Sequence, residues 1–136
     1  MYRIRRRQWI VLWRWKVNKF TIKTHFKDTE LNCRCGCGKT VTDVLLLRLE
    51  CLRSMLGIPL TINSGARCHA WNETSGGARG SKHLDGIAVD IACSSDSIRN
   101  QILEMAPHLG FFGIGLAKNY IHLDLRAEFD RAAWFY

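Results

Sequence analysis

Two of the five histidines in this 136-residue chain stand where other residues can join them in metal chemistry. His83 precedes an apolar run, Ile87-Ala-Val-Asp90-Ile91, and His122 lies inside a second, Tyr120-Ile-His-Leu-Asp124-Leu125. Side chains alternate faces along a strand, so Tyr120, His122 and Asp124 share one face. If the two runs are neighbouring strands, His83, Asp90 and His122 converge on one edge of a sheet. Two imidazoles and one carboxylate are a catalytic zinc set, with a fourth position left open for water. An aspartate within Ile-Ala-Val-Asp-Ile-Ala is costly to bury unless it is paired or binds a metal. The plainer reading of such residues is that each has a structural partner.

The elements that must position these residues follow from periodicity and stop signals. Thr42 or Asp43 caps a helix with Leu45, Leu49, Leu52 and Leu56 on one face, and Gly57 and Pro59 end it. Residues 60–63 read as a short strand, and 64–81, rich in Gly, Ser, Asn and Arg, as a long ordered loop. Residues 87–91 form a strand, about 97–106 a second helix, and 112–116 and 120–125 a last pair of strands around Lys118-Asn119. The order helix, strand, strand, helix, strand, strand predicts a small α+β domain with an antiparallel sheet and flanking helices. The length is enough for one core.

The residues around the three candidate ligands carry a resemblance. Ser81-Lys-His83-Leu-Asp-Gly86-Ile-Ala88-Val-Asp90 resembles the S-x-H-x-x-G-x-A-x-D signature of the zinc D-alanyl-D-alanine peptidases, cell-wall enzymes related in structure to lysostaphin and the hedgehog signalling domain. Ser64-Gly65-Ala66-Arg67 is similar to the family's S-G-x-R element, and Gly76 to Gly80 to its glycine-rich approach to the first ligand. Gly113-Ile-Gly115, followed by Tyr120 to Asp124, resembles the strand bearing the third ligand, and Cys33-Arg-Cys35-Gly-Cys37-Gly an element of one branch. The resemblance runs from about His25 to Arg126.

It implies a peptidase acting on peptidoglycan stem or cross-link peptides beside a D-amino acid, in an endolysin-like role. In that reading Zn2+ is held by His83, Asp90 and His122, Arg67 stabilises the developing oxyanion or grips a substrate carboxylate, and Ser81 and Tyr120 bind substrate. The departure concerns the general base. Branches of the family carry a carboxylate three residues before the last histidine or a histidine two before it, and here those positions are Asn119 and Tyr120. Asp124 is the nearest carboxylate on the same face, as base or as the group orienting an imidazole. Two alternatives accompany the endopeptidase: a D-Ala-D-Ala carboxypeptidase that trims the wall, and an inactive zinc-stabilised wall-binding module.

The net charge of +8 is concentrated at one end. Residues 1–19 hold seven of the twenty basic side chains and no acid, which leaves thirteen basic against twelve acidic in residues 20–136. A nucleic-acid-binding domain spreads basic residues over a folded face, so no nucleic-acid partner is expected. The first segment combines arginines with Trp9, Trp13 and Trp15, either as a contact for a membrane surface or anionic polymer or as an element packed on the domain. Its apolar run is too short for a secretory signal. The expectation is therefore synthesis in a bacterial or host cytosol, action on the wall, and a monomer in which residues 1–19 form a basic N-terminal segment and residues 20–136 the peptidase domain. The six cysteines allow one disulfide from the Cys33–Cys37 group to Cys68. As metal ligands they lack the C-x-x-C spacing and a clear distal pair.

Overall fold

The leucine periodicity of the first long helix becomes the floor of the core. In the structure, a computed structural model describing residues 23–136, helix α2 (Asp43–Leu56) buries Leu45, Leu49 and Leu52 completely. The Thr42 hydroxyl accepts from the Leu45 N–H at 3.3 Å, satisfying one of the free donors at the helix start, and Gly57 closes the other end. A four-residue helix α1 (Asp28–Leu31) precedes it, and α4 (Asp96–Met105) runs into a 3-10 turn (Ala106–Leu109) that begins with Pro107 in its first positions and ends at Gly110. Residues 1–19, with the tryptophan-rich segment, lie outside the described residues.

Five strands form the sheet: β1 (Ile62–Ser64), β2 (Ala88–Ala92), β3 (Gly113–Leu116), β4 (Tyr120–Asp124) and β5 (Ala132–Phe135), in the order β1-β2-β4-β3-β5. All pairings are antiparallel except β3 with β5, which is parallel. The predicted α+β class and antiparallel sheet hold. Three elements differ from the sequence expectation: α1 is additional, residues His69–Thr74 of the long loop form helix α3, and the chain end supplies β5.

The two faces of the sheet have opposite chemistry. Val89 and Ile91 of β2 and Ile121 and Leu123 of β4 pack with the α2 leucines, Ile102 and Phe111 in one buried cluster. Each such side chain contributes about 1.5–3 kcal/mol by leaving water. The alternate residues, Asp90, His122 and Asp124, occupy the other face. The hydrophobic face fixes the register, and the register places the polar residues: a slip of one residue would exchange the faces. Among the described residues, no helix is long and apolar enough to cross a membrane.

Candidate metal centre

Asp90 and His122 are direct cross-strand partners in the β2–β4 pair, so their side chains leave the sheet on the same face. His83 reaches them from the turn before β2. Its Nε2 lies 3.2 Å from His122 Nδ1 and 3.3 Å from Asp90 Oδ1, and His122 Nδ1 is 2.9 Å from the same oxygen. Metal bonds of about 2.0–2.1 Å to nitrogen or oxygen define a tetrahedron with edges of about 3.3–3.4 Å. The three atoms thus have nearly the spacing of three corners of such a tetrahedron, and the residues can hold a metal ion.

The outward nitrogens reinforce that fit. His83 Nδ1 is 2.6 Å from the Gly65 carbonyl oxygen, and His122 Nε2 is 3.0 Å from Asp124 Oδ2. Each faces an acceptor, which draws the ring proton outward and turns a lone pair toward the common focus, as the supporting groups around metal-binding histidines do. Burial alone would raise the Asp90 carboxyl, but hydrogen bonds with His122 and then His83 outweigh it and hold the group well below the usual carboxylate range. Burial pulls the His122 imidazole down, and its bonds to Asp124 and Asp90 more than reverse this. Negative charge at the focus therefore asks for a cation, either a metal or a proton on His122.

Asp124 stands behind this set. It is fully buried, and burial is again outweighed by its bonds to Arg126 and His122, so it remains ionised. Arg126 donates to it through Nε and Nη2, both at 2.8 Å, and through its backbone N–H at 3.1 Å. Space for the carboxylate exists because Gly113 is its cross-strand partner; a Cβ there would collide with it. Gly115, opposite His122, likewise leaves room for Trp134 and Tyr136.

The remaining predicted site residues border a cleft of about 450 Å³ in front of the three donors. Arg67 donates from Nε to Ser64 Oγ at 2.9 Å and from Nη2 to Asp90 Oδ2 at 3.1 Å, which fixes the guanidinium beside the focus. Ser81, Tyr120, Gly76, Gly77, Ala78 and Gly80 form the walls. Burial, then the Asp90 charge, raises the Tyr120 phenol, so it stays protonated and able to donate. The other histidines lie elsewhere: His25 pairs with Glu50 at 2.9 Å, His69 begins α3, and His108 sits in the 3-10 turn.

Sequence reasoning missed Arg126, Trp134 and Tyr136, which also line the cleft. The first was legible, since His122, Asp124 and Arg126 alternate along one strand direction. The two aromatics depend on β5 joining the sheet edge, where Trp134 pairs with Gly115 and its ring centroid lies 5.2 Å from that of His122.

The sequence model of the Peptidase M15 family matches residues 24–124, which include every one of the three donors. The chain belongs to the peptidase M15 family. The match spans the sheet core and ends at Asp124, leaving Arg126 and β5 of this M15 chain beyond it. No curated protein matches the chain.

Proposed function

We propose that this M15 chain is a zinc-dependent peptidase that hydrolyses peptidoglycan stem or cross-link peptides beside a D-amino acid, in the manner of an endolysin. The observation that carries this reading is the set of three donor atoms at tetrahedral spacing whose open side faces a walled cleft. Zinc in that position supplies Lewis acidity, lowering the pKa of a water toward about 7 and polarising a carbonyl.

The residues of the chain divide the remaining work. His83, Asp90 and His122 are the ligands. Arg67, held by Ser64 and Asp90, offers fixed positive charge where a carbonyl oxygen gains negative charge, an interaction stronger in the transition state than in the ground state. Tyr120, in the cleft wall, donates a hydrogen bond to substrate. Ser81 and the cleft-lining residues Gly76, Gly77, Ala78 and Gly80 hold the peptide. Asp124 is a positioning residue, because both its oxygens are engaged by Arg126 and His122. It fixes the His122 ring and does not take a proton from water.

A carboxypeptidase is the second reading, favoured by the guanidinium at the focus, which suits a terminal carboxylate. Digestion of purified peptidoglycan by the zinc-loaded full chain, with product masses and a chelator control, separates the two. Chelator-sensitive release of stem peptides is the expected result, and release of free D-alanine alone selects the carboxypeptidase. Bound zinc with no product would overturn both and leave a wall-binding module.

A further inference from the structure

A second cluster of metal-binding side chains lies outside the cleft. Cys33, Cys35 and Cys37 on the loop after α1 meet Cys68, the residue that caps α3, and their four sulfurs all lie within 4.8 Å of one another. Cys33 and Cys35 Sγ are 3.3 Å apart, and Cys35 and Cys68 Sγ 3.5 Å. All four are free thiols, so the disulfide to Cys68 that the sequence allowed is not formed. Zinc–sulfur bonds of about 2.3 Å require S···S edges of about 3.8 Å, close to this spacing.

Three independent features build the site. The loop is closed by the Cys33 N–H donating to the Lys39 carbonyl at 2.7 Å, and the Gly36 N–H donates back to the Cys33 carbonyl at 3.2 Å. Gly36 and Gly38 adopt φ of 80° and 82°, a conformation other residues take only with strain, and this lets alternate cysteines turn toward one point. Backbone N–H groups already serve the sulfurs: Cys68 donates to Cys33 Sγ at 3.3 Å and Trp71 to Cys68 Sγ at 3.4 Å. Such donors stabilise thiolate over thiol and orient the ligands.

We propose that Cys33, Cys35, Cys37 and Cys68 hold a second zinc ion in a closed four-thiolate site with a structural role. Four sulfur donors complete a tetrahedron and leave no position for substrate or water. The ion staples the loop after α1 to the segment that begins one residue after Arg67. That segment is anchored on its other side by the Arg67 N–H donating to the His83 carbonyl at 3.0 Å. The missing distal pair that argued against a metal in the sequence is replaced by three cysteines on one loop and a single distant one.

The test uses full-length protein purified under reducing conditions and reconstituted with cobalt(II). The wild type should show thiolate-to-cobalt charge-transfer absorption, retained in His83→Ala and weakened by about a quarter or more in Cys68→Ser, which removes one of four sulfur ligands. Cobalt at the His/Asp/His centre has no sulfur ligand, so this band reads the thiolate site whatever the cleft does. In the zinc-loaded wild type, alkylation mapped by mass spectrometry should spare Cys33, Cys35, Cys37 and Cys68 until a chelator is added. This arm stands even if the serine variant fails to fold. A cobalt protein without the band, full alkylation of these thiols in the presence of zinc, or disulfides among them would each overturn the proposal.

Discussion

The two donor clusters of this M15 chain are made from different parts of the fold, and the difference matches the different roles proposed for them. His83, Asp90 and His122 converge on a sheet face, where the β2–β4 register and the hydrophobic layer beneath set their positions. They supply three donors and face a cleft. The four cysteines converge through a tight glycine-bearing loop and one distant residue, with Cys35 and Cys37 exposed at the surface. They supply four donors and need no cleft. An open coordination set backed by a rigid sheet suits chemistry, and a closed set on a loop suits fastening.

Breaking the first cluster should have the largest effect. His83→Ala or His122→Ala is expected to lose the cleft metal and reduce stem-peptide release by about a thousandfold or more, while the thiolate site keeps its ion. Metal analysis beside product analysis checks both halves. An active, metal-free His122→Ala would defeat the proposed catalytic centre.

Next in size is Arg67. Its replacement by alanine should cut kcat by about 10²–10³-fold with the cleft metal retained, since a guanidinium aimed at developing charge is lost and no ligand is. Arg67→Lys should recover only part, because an ammonium cannot serve Ser64 and Asp90 together with the substrate. Unchanged kcat in Arg67→Ala would remove it from the mechanism.

Asp124→Asn sharpens the comparison further. A positioning residue behind His122 predicts about a 10–100-fold loss in metal affinity, with much of kcat recovered at saturating zinc. Loss of kcat at full metal occupancy would instead return the general-base role to Asp124. A titration of activity against free zinc distinguishes these outcomes.

The smallest effect is expected away from both clusters. Burial tends to raise the Glu50 carboxyl, but hydrogen bonds from the His25 backbone and ring and from Thr24 outweigh it and lower its pKa. The folded-state value lies below the unfolded one, so the stabilisation is present above the ordinary glutamate range and lost as pH falls through the folded-state value. Glu50→Gln should cost about 1 kcal/mol at neutral pH, a difference from wild type that vanishes on acidification, with both metals kept. Thermal unfolding across pH measures it, and a pH-independent difference would contradict the assignment.

Much of the donor-bearing face was legible in the sequence for a definite reason. His83, Asp90 and His122 stand in or beside alternating strands, and period-two geometry orders Tyr120, His122 and Asp124 without reference to any distant residue. The leucine spacing of α2 and its Thr42 and Gly57 ends are equally local. The expectation of a long loop over residues 64–81 missed α3, because six residues carry too little periodicity to announce a helix.

By itself, then, the sequence determined the α+β class, because strand and helix periods are short-range properties, while the expected donors His83, Asp90 and His122 and the accompanying Arg67 came from the motifs that resemble the peptidase family. Tertiary structure alone decided the rest. The aromatic wall rests on β5 adding itself in parallel at the sheet edge, and the proposed thiolate site on Cys68 being carried back to a loop more than thirty residues earlier. Each is a contact between segments distant in the chain, set by how the buried layer packs, and no local pattern encodes such contacts.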